Sequence, residues 1–328
     1  MKVGGFVDTY YSHDFNHPTD NRREFTTQAV RQNQPRLNLG YVEGAVELEK
    51  FRSRLALQDG TSVWRNTSYE PEEWTRYVQE ARVGMRAGER TWVDGGIYLG
   101  HIGAESWISK DNWTYTRALM LDYVPYYSAG VKISHIIDEN QKLELHLMNG
   151  WQNVSENNRG KAVGLHYQKA LTSSLTFFYN NFFGDEEVVS EKPRFRAYHD
   201  FILKWTGHQH WHTLLSADFG HQAQQEKSGV DGWGALAVTL RRVLTETHSV
   251  AFRGEYYNDR HGANVVTSTK KGFQVLGASF NFDQALGARA LWRNELRGFY
   301  SKDRIYPSSK TEHNKWDGFF VTSLSMWF

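Results

Sequence analysis

The sequence predicts an all-β protein, a transmembrane antiparallel up-and-down β-barrel of about sixteen strands with short periplasmic turns and long extracellular loops. Three observations predict it: apolar residues alternate with a period of two, short turns alternate with long polar loops, and Trp and Tyr recur where the alternating segments end. Only 6 Pro interrupt the 328 residues. We expect one barrel domain over residues 1–328.

The alternation is clear in the segment 51–57. Phe51, Leu55 and Leu57 fall on one face of an extended chain, whereas Arg52 and Arg54 fall on the other. Successive side chains of a strand point to opposite faces, and a helix would repeat every 3.6 residues instead. The same alternation occurs in the segments 143–147, 195–205 and 290–297.

Alternation alone also fits a soluble β-sandwich, here one that binds carbohydrate through its Trp side chains. The composition favours the barrel, because aromatic residues make up 15% of a chain whose mean hydropathy is only −0.63. Trp and Tyr prefer the membrane interface and form girdles around barrels. No segment approaches the roughly 18 apolar residues of a transmembrane helix. The aromatic residues at strand ends include Trp74, Tyr77, Trp92, Tyr126, Tyr127, Trp205, Trp211, Tyr256, Tyr257, Trp316 and Trp327.

Connections of two lengths alternate along the chain, as in bacterial barrels, whose long loops are extracellular and whose tight turns are periplasmic. Seven turns and eight loops give an even number of strands and place both termini in the periplasm. Short turns are predicted near 49–50, 88–90, 138–141, 172–174, 207–209, 245–247 and 284–288. Long loops are predicted near 12–35, 60–73, 101–122, 152–159, 185–194, 222–231, 259–271 and 301–315.

Composition and motifs exclude several other classes of protein. The chain has no Cys, which rules out disulfides and thiolate metal sites, and a net charge of +1 gives no argument for nucleic-acid binding. There is no Gly-x-Ser-x-Gly motif and no Gly-rich phosphate loop, so we expect no enzyme and no cofactor. His208, His210 and His212 have ligand-like spacing, but beside a predicted turn they are better explained as polar interface residues than as a metal site.

Several charged residues are predicted to face the lumen, because an arginine facing lipid near the midplane costs about 2 to 4 kcal/mol. One interpretation is the basic wall of a constriction. The other is pairing with Glu80, Asp94 and Glu47 to stabilise the barrel wall, and the two are compatible. The predicted pore-lining or constriction residues are Arg52, Arg54, Arg76, Glu80, Arg82, Arg86, Asp94, Glu105, Asp111, Arg293, Glu295 and Arg297.

The third long loop, 101–122, carries Glu105, Asp111 and Asp122. If it folds into the lumen, its carboxylates would face the arginines and set a transverse field across the pore. The alternative is a loop that lies over the extracellular mouth. Because inward basic residues slightly outnumber acidic ones, we expect a modest anion preference.

The last segment, 320–328, places Phe320, Leu324, Met326 and Phe328 on one face. A terminal Phe on an alternating strand predicts an insertion signal read by the outer-membrane assembly machinery. The alternative is an ordinary edge strand that ends in Phe. At the other end, residues 1–6 contain no apolar signal region, so we expect a mature sequence with an added Met1.

Several motifs occur together in a recognisable order. They are Gln79-Glu80-Ala81, Gly103-Ala104-Glu105 with Asn112 to Arg117, Asp122 to Gly130, and Met148-Asn149-Gly150-Trp151. With them the chain resembles the OmpL-like β-barrel porin family, the second porin family of that name. The resemblance spans most of the chain and is densest from Leu37 to Thr206. It implies a pore in the bacterial outer membrane and supplies no catalytic residues.

We therefore expect an outer-membrane porin of a Gram-negative bacterium, a passive diffusion channel for small hydrophilic solutes. Its expected partners are outer-membrane lipid and lipopolysaccharide, the assembly machinery and the solutes. The alternative is a structural or adhesive barrel with a blocked lumen and partner-binding loops. The sequence leaves open the transported solute, the pore size and whether the protein is a monomer or a trimer.

Overall fold

Sixteen long antiparallel strands form a closed barrel in the computed structural model, which describes residues 1–158, 160–187, 194–224, 228–308 and 312–328. Each strand pairs with its neighbours in sequence, and the last pairs with the first. The predicted fold class is confirmed. The barrel strands are β1 Lys2–Asp14, β2 Arg36–Glu47, β3 Phe51–Asp59, β4 Val78–Gly88, β5 Thr91–Leu99, β6 Tyr127–Asp138, β7 Gln141–Met148, β8 Ala162–Ala170, β9 Leu175–Asp185, β10 Phe195–Trp205, β11 Trp211–Ala223, β12 Val230–Val243, β13 His248–Asp259, β14 Phe273–Ala285, β15 Ala290–Ser301 and β18 Trp316–Trp327.

Two-residue strands β16 (Tyr306–Pro307) and β17 (His313–Asn314) form a small separate hairpin in the last long loop. Four short helices also lie in loops: α1 (Thr61–Asn66), α2 (Leu119–Asp122) and the 3₁₀ turns Glu73–Tyr77 and Ser109–Asp111. Within the described ranges, no helix is long and apolar enough to cross a membrane.

Turns and loops alternate as the sequence predicts. The loops that we number 1, 2 and 3 occupy residues 15–35, 60–77 and 100–126. Loops 2 and 3 end later than predicted. In loop 2 the 3₁₀ turn Glu73–Tyr77 follows the polar segment, and in loop 3 residues 123–126 precede β6 without forming helix or strand. Parts of the predicted loops at Arg159, 188–193, 225–227 and 309–311 lie outside the described residues. The short turns span 48–50, 89–90, 139–140, 171–174, 206–210, 244–247 and 286–289.

The barrel closes where β1 meets β18, with Phe6 opposite Trp327. The Phe328 N–H donates to the Gly5 carbonyl at 3.1 Å, and the Gly5 N–H donates to the Phe328 carbonyl at 3.3 Å. A side chain at Gly5 would collide with the Phe328 ring. The terminal residue is therefore part of the barrel seam.

Adjacent residues of β10 show how the two faces of the wall differ. Leu203 is 37% exposed on the outside, whereas Ile202 is 2% exposed and points inward. Exposed Leu, Val and Phe side chains recur at alternate positions of the other strands. An apolar outer surface of this kind suits a lipid environment.

The packed core lies inside the barrel. Side chains of loop 3, among them Tyr115, Leu119 and Leu121, are buried in one cluster with inward-facing residues such as Tyr198 and Phe299. The lumen is therefore partly filled by the protein's own loops.

Candidate pore and its two charged walls

Loop 3 crosses the lumen and is hydrogen-bonded to the far side. The Thr116 N–H donates to Glu295 at 2.6 Å, and the Leu119 N–H donates to Glu255 at 2.6 Å. Both glutamates project inward from barrel strands. Of the two predicted placements of this loop, the structure shows the one inside the lumen.

The tip of loop 3 reaches the periplasmic end of the barrel. Lys110 Nζ lies 5.6 Å from the centroid of the Trp327 ring, next to the C-terminus. Trp113 lies 5.6 Å from Lys204 Nζ, close to the periplasmic turn after β10. Any open path through the barrel must therefore run beside loop 3 along most of the depth of the barrel.

The covered wall is the set of inward-facing charges beneath loop 3. Arg253 Nη1 donates to Thr114 Oγ1 at 2.6 Å and to the Thr116 carbonyl at 2.7 Å. Its other Nη lies 3.3 Å from Glu295. The side chains of Arg253 and Glu295 are 0% exposed. The members of the covered wall are Arg253, Glu255, Asp283, Arg293, Glu295 and Arg297.

Two more arginines of the covered wall fix the loop. Arg293 binds Asp283 through two N–H···O contacts of 2.8 Å and also donates to the carbonyls of Ser109 and Asn112 in loop 3. Arg297 donates to Thr116 Oγ1 of the loop at 2.8 Å and to Glu255 at 2.7 Å. With the Tyr115 N–H donating to Asn281 of β14 at 3.1 Å, the loop is hydrogen-bonded to β13, β14 and β15.

The open wall is the set of inward charges on β2 to β7 whose basic side chains keep 16 to 43% of their surface exposed, while their carboxylate partners Asp94 and Glu80 are buried. Its centre is Asp94, which accepts from Arg52 Nε at 2.7 Å and from Arg82 Nη1 at 2.9 Å. The Arg52 and Arg82 side chains are 21% and 19% exposed. The members of the open wall are Glu43, Arg52, Arg54, Glu80, Arg82, Asp94, Lys132, Lys142 and Glu144.

The pairing continues across neighbouring strands of the open wall. Arg54 bridges Glu43 at 2.5 Å and Glu80 at 3.0 Å, and Glu80 also pairs with Arg82 at 3.2 Å. Cross-strand pairs of opposite charge stabilise a sheet by a few tenths of a kcal/mol to about 1 kcal/mol. The arginines of this wall are therefore largely compensated, although they stay in contact with solvent.

The whole chain, residues 1–328, matches the model of the family described as "Putative beta-barrel porin-2, OmpL-like". The chain belongs to this porin family. It is a channel-type β-barrel of the Gram-negative outer membrane, as its resemblance to the family implies. No curated protein matches it.

Solved structures of other proteins share the fold of this OmpL-like porin. The anion-selective porin from Comamonas acidovorans matches with a TM-score of 0.66 at 8% identity, over 100% of this chain and 99% of that chain. Outer-membrane OmpT of Vibrio cholerae matches with a TM-score of 0.65 at 8% identity, over 100% and 97%. OprB of Pseudomonas putida matches with a TM-score of 0.61 at 10% identity, over 99% and 93%. At these identities the likeness shows the fold alone.

Three predicted pore-lining or constriction residues of this porin lie beneath loop 3. Arg293, Glu295 and Arg297 point inward, as parity predicts, but loop 3 covers them and they bind it. Parity gives the face of a strand and not what packs on that face, so their role in the pore stays a prediction.

The carboxylates of loop 3 do not face the arginines of the open wall. Glu105 is buried, accepts from the Ala118 N–H at 2.7 Å and lies 3.5 Å from Arg253. Asp111 is exposed and pairs with its neighbour Lys110 at 2.6 Å. The expected transverse field between loop 3 and the arginines is therefore not formed by these groups.

Asp122 connects loop 3 to loop 1. Its carboxylate accepts from the Thr27 hydroxyl and from Tyr126 Oη at 3.3 Å. Burial raises the pKa of Asp122 from 3.8 to about 6, against the opposing effect of Arg297 and Arg117. Loops 1 and 3 therefore meet at a buried, titratable contact.

Two other predicted positions need correction. Arg76 lies in the 3₁₀ turn Glu73–Tyr77 of loop 2, with its guanidinium 4.8 Å from the Trp64 ring centroid, because β4 begins only at Val78. Glu43, and not the predicted Glu47, is the carboxylate of β2 that pairs with Arg54. Glu47 sits at the exposed end of β2, opposite Arg52, whose side chain turns to Asp94 instead.

Arg86 lies at the periplasmic end of β4, beside a break in register between Arg86 and Gly88. Its guanidinium lies 4.9 Å from the centroid of the Trp92 ring, which Arg52 also approaches at 4.5 Å. Arg86 thus extends the basic surface of the open wall towards the periplasmic mouth.

Sequence reasoning missed two features of the open wall. Lys132 and Lys142 flank Glu144 at 3.8 Å and 2.6 Å, and strand parity would have found both. Gly84 leaves the space that Asp94 occupies, since a side chain there would collide with the Asp94 carboxylate. Nothing in the periodicity marks that glycine.

The three histidines with ligand-like spacing do not converge on one metal site. His208 and His210 are exposed in a periplasmic turn, and His212 lies on β11 with its ring 5.8 Å from Trp113. The described part of the chain contains no group of three or more potential metal ligands.

Proposed function

We propose that this porin is a passive diffusion channel for small hydrophilic solutes, whose aqueous path runs between loop 3 and the open wall. The supporting observation is the difference in exposure between the two walls. Charges beneath loop 3 are 0 to 10% exposed, whereas the side chains of Arg52, Arg54 and Arg82 are 19 to 26% exposed. The proposal includes no catalytic step and no cofactor.

The proposal includes a modest anion preference. The open wall has five basic side chains and four acidic ones, and Arg86 adds one further positive charge near the mouth. Fixed charge acts most strongly where the water-filled path is narrow. The Comamonas acidovorans porin of the same fold is described as anion-selective, which is consistent with this preference.

Planar-bilayer recordings in salt gradients test the proposal. Stable conductance steps and a reversal potential favouring anions are expected, with the preference fading from 0.1 M to 1 M salt as the Debye length falls from about 10 Å to about 3 Å. Arg52→Ala with Arg82→Ala removes two positive charges and frees Asp94, so selectivity should move towards cations. Arg90→Ala, at an exposed periplasmic turn, is the matched control. A cation-selective parent would contradict the basic-wall proposal.

A blocked barrel with a structural or adhesive role is the second candidate. The observation that favours it is the apolar cluster within the lumen, in which loop 3 side chains pack against the inner wall. The same recordings decide between the candidates, because a blocked barrel would give no stable steps.

We also propose Phe328 as the insertion signal for the assembly machinery. Because Phe328 pairs with Gly5 through its backbone, Phe328→Ala is a better test than deletion: it keeps those two hydrogen bonds. Assembly in cells should fall more than refolding in detergent. An equal loss in both settings would assign the ring a purely structural role.

Homo-oligomer formation is part of the proposal. A related fold, OmpT of Vibrio cholerae, is described in a trimer form. Light scattering of the detergent-solubilised porin would give the mass of the assembly, with a multiple of 38.0 kDa expected for an oligomer.

A further inference from the structure

A cavity of about 640 Å³ lies at the extracellular rim, away from both charged walls. Loop 1 forms one side of it, and α1 with the adjoining ends of β2 and β3 forms the other. Its volume is in the range of sites that bind small organic ligands. The polar and aromatic side chains that line it include Arg22, Arg31, Arg36, Asp59, Trp64 and Arg65.

The cavity carries an excess of positive charge. Its four arginines face three carboxylates: Asp59 in the lining, Glu24, which lies 3.9 Å from Arg65, and Asp20, which accepts from the Arg22 N–H at 2.9 Å. Positive charge therefore remains in excess. Among the described residues, no carboxylate forms an ion pair with Arg22, Arg31 or Arg36.

Arg22 and Arg31 are held opposite each other as partners in an antiparallel β-bridge. Like charges placed directly across a bridge destabilise it. The neighbouring Arg23 holds the arrangement together, since it is buried against Asp14 at 3.3 Å and its N–H donates to the Val30 carbonyl at 2.9 Å. The two arginines are thus held close together, and an anion bound between them would offset their mutual repulsion.

Trp64 supplies a fixed aromatic surface in the same cavity. Its Nε1–H donates to Asp59 at 2.9 Å, and the Arg76 guanidinium lies 4.8 Å from its ring centroid. The side chain is nevertheless 48% exposed. An immobilised, half-exposed indole offers an apolar surface to the ring of a sugar.

We propose that this cavity binds a phosphorylated sugar. Arginine binds phosphate through paired N–H donors, and a phosphate monoester, with about −1.5 to −2 charges at pH 7, suits a cavity with excess positive charge. The phosphate would lie between Arg22 and Arg31, and the sugar ring would lie on Trp64. None of the residues that line the site belongs to either charged wall, so binding there can be measured independently of conduction.

Two sources could supply this chemistry at an extracellular rim. One is a free sugar phosphate that approaches the mouth of the barrel. The other is the phosphorylated diglucosamine headgroup of lipopolysaccharide in the surrounding leaflet. The shared chemistry is a sugar with a phosphate monoester, and the experiment separates the two sources.

Calorimetric titration of the full chain, refolded in detergent free of lipopolysaccharide, tests the proposal. Glucose 6-phosphate and lipid A in mixed micelles are the two probes, with glucose and dephosphorylated lipid A as matched controls. At least one phosphorylated probe should bind at least tenfold more tightly than its uncharged counterpart. The probe that binds identifies the source.

Variants locate the site. Arg22→Gln with Arg31→Gln should weaken binding of the phosphorylated probe at least tenfold. Arg260→Gln, which changes an exposed arginine in another extracellular loop, should leave the affinity unchanged. Trp64→Leu should weaken binding of the sugar phosphate more than binding of inorganic phosphate. A melting temperature equal to that of the parent would show that each variant is folded.

Three results would overturn the proposal: no binding of either phosphorylated probe, equal binding of charged and uncharged sugars, or equal losses in the double variant and Arg260→Gln. Conductance does not enter any of these readouts. The failure of this site and the failure of the pore proposal are therefore distinguishable.

Discussion

The open wall and the covered wall are built from the same sequence pattern and have different physical roles. Arg52 and Arg54 alternate along β3 as Arg293 and Glu295 alternate along β15, and both sets point into the barrel. Only the second set is sealed from water by loop 3. The difference shows that strand alternation determines which face of the barrel wall carries a charged side chain. Whether that side chain stays in contact with water or binds loop 3 depends on where loop 3 packs.

The energetic consequence follows from solvation. Exposed ion pairs contribute about 0 to 1 kcal/mol, because water and salt screen them. Breaking a buried pair costs about 3 to 5 kcal/mol, because one charge is left without a partner or solvent. The two walls should therefore respond very differently to the same substitution.

The largest expected effect is that of Arg253→Gln in the covered wall. It leaves Glu255 and Glu295 short of a partner and removes donors to the Thr114 and Thr116 oxygens of loop 3. The free energy of unfolding should fall by about 3 to 5 kcal/mol. Urea unfolding from lipid vesicles measures it.

Arg82→Gln in the open wall is the matched control. Asp94 keeps Arg52 as its partner, so the loss should stay within about 1 kcal/mol. If the free energy of unfolding falls by the same amount in both variants, the two walls do not differ in solvation and the distinction between them is wrong.

A second prediction tests which face of the open wall meets lipid. Ile133 is 40% exposed on the outside of β6, whereas the next residue, Ser134, points inward and its hydroxyl lies 3.3 Å from Glu144. Ile133→Arg should cost about 2 to 4 kcal/mol near the bilayer midplane. Ser134→Arg should cost much less, because Glu144 can pair with it. Similar refolding yields into vesicles for both would mean that the faces are assigned wrongly.

A third prediction concerns the contact between loops 1 and 3 at Asp122. Burial raises its pKa from 3.8 to about 6, so its protonated form is favoured in the folded state. A raised pKa contributes stability that is complete below pH 3.8 and is lost as pH rises through about 6. The melting temperature of the parent should fall between pH 5 and pH 7 relative to Asp122→Asn. If the two proteins show parallel pH profiles, Asp122 does not titrate in this range.

The sequence predicts the barrel well because strand parity and turn spacing are local signals. It places Arg52, Arg54 and Arg82 correctly on the inner face, and the turn positions agree to within a few residues. No local sequence pattern indicates where loop 3 packs against the inner wall of the barrel. The hydrogen bond between Thr116 and Glu295 joins residues 179 positions apart, and no periodicity encodes such a pair.

The errors near loop 2 have a different origin. Strand parity assigns Arg76 to the inner face, although the chain there forms a 3₁₀ turn and enters the barrel only at Val78. Parity holds only within one continuous strand. Arg54 pairs with Glu43 and not with the predicted Glu47. The strand register does not predict this choice, because it does not specify the direction in which a side chain extends.

Thiol accessibility tests most directly whether solutes pass beside the open wall. The chain has no Cys, so an introduced Cys is unique. Ser134→Cys lies on the inner face of β6 beside the open wall, and Ser279→Cys lies on the inner face of β14 beneath loop 3, where Ser279 is 7% exposed. During planar-bilayer recording, a bulky membrane-impermeant thiosulfonate reagent should reduce the conductance of Ser134→Cys and leave that of Ser279→Cys unchanged. The absence of conductance steps, or an equal response of both variants, would contradict a pore that runs between loop 3 and the open wall.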